Sequence, residues 1–246
     1  MNNKDQISIK NYDNYIVVSL NEKVILPDQI YHVLGSVIEE ININKKIWAA
    51  GFDLTNVKEI SNMESAEHLL NYSITSLILD IKKPVIGLVN GNVSNRLLEF
   101  ILPMDYRIAG ADSYFRMSQM FEKNMQFDGA TQLLPRIIGV NKSKEMMMFG
   151  DKYNSSEAYN MGLINLVVEN AKLESSLYAK LDLLVTQSPL AMQFTKSAIN
   201  FNSNTNTVRG MDMENDLYSI LLSSKDRRKS IDAIKNKDKP KPFNSE

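Results

Sequence analysis

The chain has 246 residues, 43% of them hydrophobic, enough to bury one sizeable core with room for an appendage. Its 28 basic and 29 acidic residues leave a formal charge of −1, so no general field favours a nucleic acid or an anionic membrane as partner. With no cysteine, disulfides, thiolate nucleophiles and cysteine–metal sites drop out together. The opening Met1 to Gln6 lacks the apolar core of a signal peptide and nowhere do roughly 18 apolar residues run together, which sets the expectation of a cytoplasmic protein.

Taken in order, Ile7–Lys10 and Tyr15–Leu20 have strand composition, and the Asn11–Asn14 turn between them predicts a hairpin. From Pro27 the residues Ile30, Val33, Leu34, Val37, Ile38 and Ile41 recur at helical spacing. Lys46–Ala50 reads as a short strand, with Gly51–Leu54 turning out of it. Ser65 to Leu79 carries the next helical pattern and delivers the chain to Pro84, where Val85–Val89 is a buried strand closed by Asn90-Gly91. A helix is predicted from Leu97 until Pro103 stops it. Tyr106–Ala109 and Tyr114–Met117 are strands around Gly110–Ser113. Short helices follow over 129–139, 143–149 and from Ser155 to a glycine stop at Gly162, which leads into the strand Leu163–Val168. From Ala171 the pattern is helical, broken at Ser188-Pro189, and ends in the charged, proline-bearing tail Lys235–Glu246, a frayed or partner-held end.

These residues carry a family resemblance. Lys82-Lys83-Pro84-Val85-Ile86, Asn90-Gly91, Glu99 and Met104-Asp105-Tyr106-Arg107-Ile108-Ala109 resemble the central signature of the crotonase (enoyl-CoA hydratase/isomerase) superfamily. Gly129 to Gly139, Lys144-Glu145-Met146, Gly150, Ser156-Glu157-Ala158 and Gly162 to Asn165 continue in nearly unbroken register, and Asp226-Arg227-Arg228 is similar to the family's late segment. The resemblance implies an α/β spiral of strand-strand-helix turns, expected over 1–187, with a C-terminal helical trimerisation region over 188–246. It also implies a homotrimer or homohexamer, and binding of acyl thioesters of coenzyme A or a carrier protein, the pantetheine arm being part of the substrate rather than a separate cofactor.

The family's chemistry uses two backbone N–H groups to polarise a thioester carbonyl, at ~3 kcal/mol per donor, and carboxylates to move protons. By resemblance the first donor falls on the N–H of Phe52 and the second on the N–H of Arg96; Glu99 takes one acid/base position, and the second family glutamate lands on Gln119, which cannot carry a proton at neutral pH. Ser94-Asn95-Arg96-Leu97 stands where the family has a glycine run, and those side chains are expected to narrow the oxyanion hole. The stretch before Gly51 is shorter than usual by about a strand: either a strand is lost, or Ile47–Ala50 is itself the strand and Phe52 is not the donor. Glu122 and Asp128 are the carboxylates that could replace Gln119.

Plainer roles compete with these. Glu99 reads either as the proton-transfer group or as an edge or buried carboxylate paired with an arginine. Asp128 reads as an N-cap of the helix starting at Gly129, and Arg96 as a surface or pocket-rim charge. His32 and His68 are two scattered imidazoles, too few for a metal site, so no metal is expected; the methionines read as core and contact residues. Two function classes follow. The first is an enolate-forming lyase or isomerase, shifted away from plain hydration by the loss of one carboxylate and compatible with a polyketide-type pathway. The second is a degenerate crotonase-fold protein kept for binding or assembly.

Overall fold

The computed structural model describes residues 7–21, 24–25, 27–60, 73–202 and 206–236. The chain winds through repeated rounds of a long strand, a short strand and a helix. β1 (Ile7–Asn11) and β2 (Tyr15–Leu20) form the expected antiparallel hairpin, with Ile7 opposite Leu20. β3 (Val24–Ile25) and α1 (Pro27–Ile43) complete that round. The second round is β4 (Ala49–Asp53), β5 (Glu59–Ile60) and α2 (Ile74–Leu79), and the third is β6 (Val85–Val89), β7 (Asn92–Ser94) and α3 (Arg96–Ile101). The fourth holds β8 (Tyr106–Gly110), β9 (Tyr114–Arg116), a 3-10 turn over Gln119–Glu122, α4 (Ala130–Ile138) and α5 (Val140–Phe149). β10 (Tyr153–Asn154), α6 (Ser155–Asn160) and β11 (Leu166–Val168) close the spiral. A helical run follows: α7 (Leu173–Leu184), α8 (Pro189–Asn202), α9 (Thr207–Ser223) and α10 (Lys225–Asn236). Residues 65–72 of the expected second helix, with His68, lie outside the described residues, as does the tail beyond Asn236. No described helix is long and apolar enough to cross a membrane.

The long strands build one six-stranded sheet in the order β1-β2-β4-β6-β8-β11, parallel from β2 onward. The short ones pair to the side, β3 with β5, and β9 with both β7 and β10. A parallel sheet is stable only with both faces covered, which is why β2 and β6 are apolar at nearly every position instead of alternating. Ile16, Val18, Ala50 and Phe52 face the main core with α1 to α6, while Tyr15, Val17, Ala49, Ile86, Leu88 and Ile108 face Leu173, Leu177 and Leu181 of α7. Leu181 is therefore spent inside the chain.

The strand expected over 46–50 sits three residues later. Backbone bonds from Ile47 to Asn44 O (3.0 Å) and from Trp48 to Asn14 O (2.7 Å) hold 44–48 in a turn. Gly51 is not a turn residue; it lies mid-strand beneath α7, where a Cβ would stand 3.0 Å from Leu181 Cδ1. Its missing side chain gives the helix room to approach the sheet.

Candidate active site

Phe52, the residue expected to carry the first donor, lies inside β4 in register with Gly87 of β6. The amides of Ala50 and Leu54 donate to Pro84 O and Leu88 O of the neighbouring strand, both at 2.9 Å. The two-residue period of a parallel ladder aims the Phe52 amide, between them, at that same strand. Its side chain is fully buried, edge-on to Phe100 of α3 at 6.2 Å between ring centroids. Of Ile47–Ala50, the segment read as a possible strand, only Ala49 and Ala50 lie in β4, which runs on through Gly51, Phe52 and Asp53.

The other site residues gather around the first turn of α3. This helix is apolar on every side, Leu97, Leu98, Phe100 and Ile101 being buried, so the two charged residues on it are buried as well. Glu99 has no exposed surface, and neither carboxylate oxygen makes a hydrogen bond within the described residues; the amides of Phe127 and Asp128 face it without reaching bonding geometry. Burial is the main cause that pushes its carboxyl up to about 7, helped by the charge of Asp128 and opposed by that of Arg96. Such a group is present in both protonation states near neutral pH.

Arg96 is not a rim charge. It is 3% exposed, with its guanidinium 4.7 Å from the centroid of the Phe127 ring and Nη2 3.8 Å from Asp128 Oδ2. Burial lowers its pKa from the ordinary arginine value, against the pull of Asp128 and Glu99. Asp128 does not cap α4, whose N-cap is Gly129 with no side-chain bond. It reaches across the fold to α2 instead. Its carboxylate accepts from the Ser73 hydroxyl (2.5 Å) and from the amides of Ile74 (3.1 Å) and Thr75 (3.4 Å), the first of that helix. Thr75 Oγ1 donates to Asp128 O (2.6 Å) and lies 3.3 Å from Glu99 O, so α2, α3 and the loop before α4 are stitched together here.

Gln119 is buried in the 3-10 turn, where Oε1 accepts from Gln126 Nε2 at 3.4 Å and Nε2 finds no partner among the described residues. Glu122 is exposed and opens on a polar hollow of about 100 Å³ shared with Ser94, Asn95, Lys58 and Ile60. Among the described residues no three metal-ligating side chains come together.

The profile of the family described as enoyl-CoA hydratase/isomerase matches residues 35–245. The chain belongs to that family. An enoyl-CoA isomerase/hydratase of Mycosarcoma maydis is 30% identical over 204 residues, covering 81% of this chain and 74% of that protein. A crotonyl-CoA hydratase of Syntrophomonas wolfei is 29% identical over 195 residues, covering 79% and 75%. The crystal structure of an enoyl-CoA hydratase from Bacillus anthracis superposes with a TM-score of 0.90 at 22% identity, over 98% of this chain and 100% of that one, a likeness of fold.

In this enoyl-CoA hydratase/isomerase family member the entry to α3 is strained. Asn95, its N-cap, has φ 51° and ψ −121°, a conformation that favours glycine. Four bonds hold it there. Its amide donates to Arg116 O (3.0 Å), its carbonyl accepts from the Glu99 amide (3.0 Å), and its side-chain oxygen accepts from the Ser118 amide (2.7 Å) and hydroxyl (3.2 Å). An asparagine standing where the family has a glycine run is the sequence signal for this, asparagine being the ordinary residue best suited to positive φ. Asn95→Ala keeps the strain and loses the Ser118 bonds, so it is expected to cost about 2 kcal/mol, while Asn95→Gly relieves the strain and costs less. Urea unfolding of the two variants checks the order; an alanine variant as stable as the glycine one would contradict it.

Proposed function

We propose that this family member acts on an acyl thioester through an enolate with Glu99 as its one proton-transfer group, as an isomerase, decarboxylase or other lyase rather than a plain hydratase. The observation that carries this reading is a fully buried carboxyl with a pKa near 7 on the first turn of α3. A single such group can take a proton from one carbon and return it to another, whereas adding water calls for a second group to handle the water proton, and Gln119 has none to give or take. The thioester is that of coenzyme A or of a carrier-protein phosphopantetheine arm, with no metal or further cofactor in the chemistry, and the Arg96 amide at the start of α3 is the donor to the carbonyl. The side chains of Ser94 to Leu97 narrow that approach, which suits a particular acyl group of the kind a polyketide-type cytoplasmic pathway delivers.

One observation favours the second reading, a degenerate fold kept for binding: Phe52 sits in β4 in register with Gly87 of β6, where the period of the ladder turns its amide toward that strand and away from a substrate. Crotonyl-CoA in deuterated buffer separates the cases. The proposed enzyme exchanges carbon-bound protons or interconverts 2- and 3-enoyl thioesters but hydrates crotonyl-CoA poorly. Hydration with kcat above roughly 10 s⁻¹ would make it a plain hydratase, and no exchange with any acyl-CoA or acyl-carrier thioester would leave the binding protein.

The same reading includes a trimer or a dimer of trimers. A cavity of about 1050 Å³ separates α8 from the underside of the spiral, walled by Leu79, Leu102, Leu133, Ile137, Met192 and Ile199. Val208, Met211, Tyr218, Ile220 and Leu222 of α9 are exposed. That much uncovered apolar surface suits a subunit contact. Light scattering is expected to give a multiple of three chains; a monodisperse monomer would refute the assembly.

A further inference from the structure

The buried cluster around α3 holds two carboxylates and one guanidinium, and the geometry divides their roles. We infer that Asp128 is a positioning residue, which fixes the Arg96 guanidinium and the first turn of α2 beside Glu99 and leaves proton transfer to Glu99. This inference rests on the reading of Glu99 as the proton-transfer group.

Both oxygens of Asp128 are occupied. Oδ1 takes the Ser73 hydroxyl, while Oδ2 takes the Ile74 and Thr75 amides and faces Arg96 Nη2. Those donors come from two elements, so the carboxylate cannot turn toward a substrate carbon without giving up the cap of α2 and its ion pair at once. Glu99 differs in kind: its oxygens make no such bonds within the described residues, and its only described tie to α2 is the Thr75 hydroxyl near its backbone carbonyl. A group that must gain and lose a proton during turnover works best unencumbered, and a group that holds others in place works best saturated.

The charge around Glu99 follows from this arrangement. Arg96 acts on it from its own helix and Asp128 from the loop before α4; α2 contributes Ser73 and Thr75, which do not titrate, and the amides of Phe127 and Asp128 also face it. Asp128 therefore raises the proton affinity of Glu99 directly, and holds in place the cation that lowers it. The two charges thus act on the carboxyl in opposite directions, on top of the rise that burial gives it.

The test follows the Glu99 carboxyl itself by infrared or carbon NMR on protein with labelled glutamate, assigned by difference from Glu99→Gln, alongside solvent exchange of a bound thioester. In Asp128→Asn the titration midpoint is expected to fall by about 1 pH unit, and in Arg96→Gln to rise by a similar amount. Asp128→Asn should keep exchange within about tenfold at its shifted optimum, whereas Glu99→Gln loses it. Ser73→Ala, which removes a donor to Asp128 and no charge, controls for loosening of α2 and should leave the midpoint in place. If Asp128→Asn does not fold, the rise in Arg96→Gln carries the test. Unmoved midpoints in the charge variants would overturn the proposal, as would loss of exchange at every pH in Asp128→Asn with Glu99 titrating as in the wild type. Midpoints that move as stated in a protein showing no exchange at all would support the electrostatic placement of Asp128 and overturn the reading of Glu99 as the shuttle.

Discussion

Replacing Glu99 by glutamine is expected to lower proton exchange on a bound thioester by about 100-fold or more while leaving the fold intact, because the amide fills the same buried volume and only the transferable proton is lost. The same variant has a signature in stability. Folded Glu99 keeps its proton up to about pH 7, whereas its ordinary value is 4.5. Between those limits the folded chain binds more protons than the unfolded one, so wild-type stability declines as pH rises through that window. The glutamine variant does not titrate there. Its stability relative to wild type should climb by as much as about 3 kcal/mol from pH 4.5 to pH 8, read by urea unfolding at each pH. Parallel pH curves for the two proteins would place Glu99 in a wetter setting. Activity that begins with proton abstraction should rise through pH 7 as the carboxylate forms.

Arg107→Leu should be the most damaging single change in the spiral. The side chain is buried, with Nε donating to Leu163 O at 2.7 Å and Nη1 to Met104 O at 2.5 Å and Leu102 O at 3.4 Å. It binds the end of α3 and the turn into β8 to the chain that enters β11. Burial lowers its pKa to about 10, still far above neutrality, so it is charged at any working pH. Leucine fits the apolar stem but leaves three carbonyls without their donor, at a cost of about 3–5 kcal/mol. Against a usual total of roughly 5–15 kcal/mol, that unfolds much of the population. Circular dichroism under urea measures it, and a loss under about 1 kcal/mol would show that other donors take over those carbonyls.

How much of this was legible beforehand depends on the reach of the contacts involved. The longer strands β2 and β6 announce themselves because a parallel sheet buried on both faces writes a nearly unbroken apolar run. β3, β5, β7 and β10 have two or three residues each, too few for any period to show. The misplaced strand at Trp48 came from reading Gly51 as punctuation, when its reason is the approach of α7 from more than a hundred residues away. At the site, Glu99 stood out as a carboxylate on an apolar helix. The burial of Arg96 and the hold of Asp128 on α2 did not, since Asp128 bonds to residues 53 to 55 positions earlier and local sequence carries no trace of that.

The order of strands in the main sheet, β1-β2-β4-β6-β8-β11, is also their order along the chain. Each long strand therefore joins the edge left by the one before it, and none has to be threaded between two that are already paired. A chain emerging from the ribosome can lay down its spiral in the sequence in which it is made, with the newest strand always the open edge, much as a repeat protein propagates. The open face is closed last. α7 covers the second side of the sheet only after β11 is complete, and Lys196 of α8 then seals the start of β6 by bonding Lys83 O (2.9 Å) and Asp105 (2.7 Å), groups synthesised about a hundred residues earlier. Until α7 is released, the face of the sheet that carries Val17, Ile86, Leu88 and Ile108 has no helix of its own to cover it.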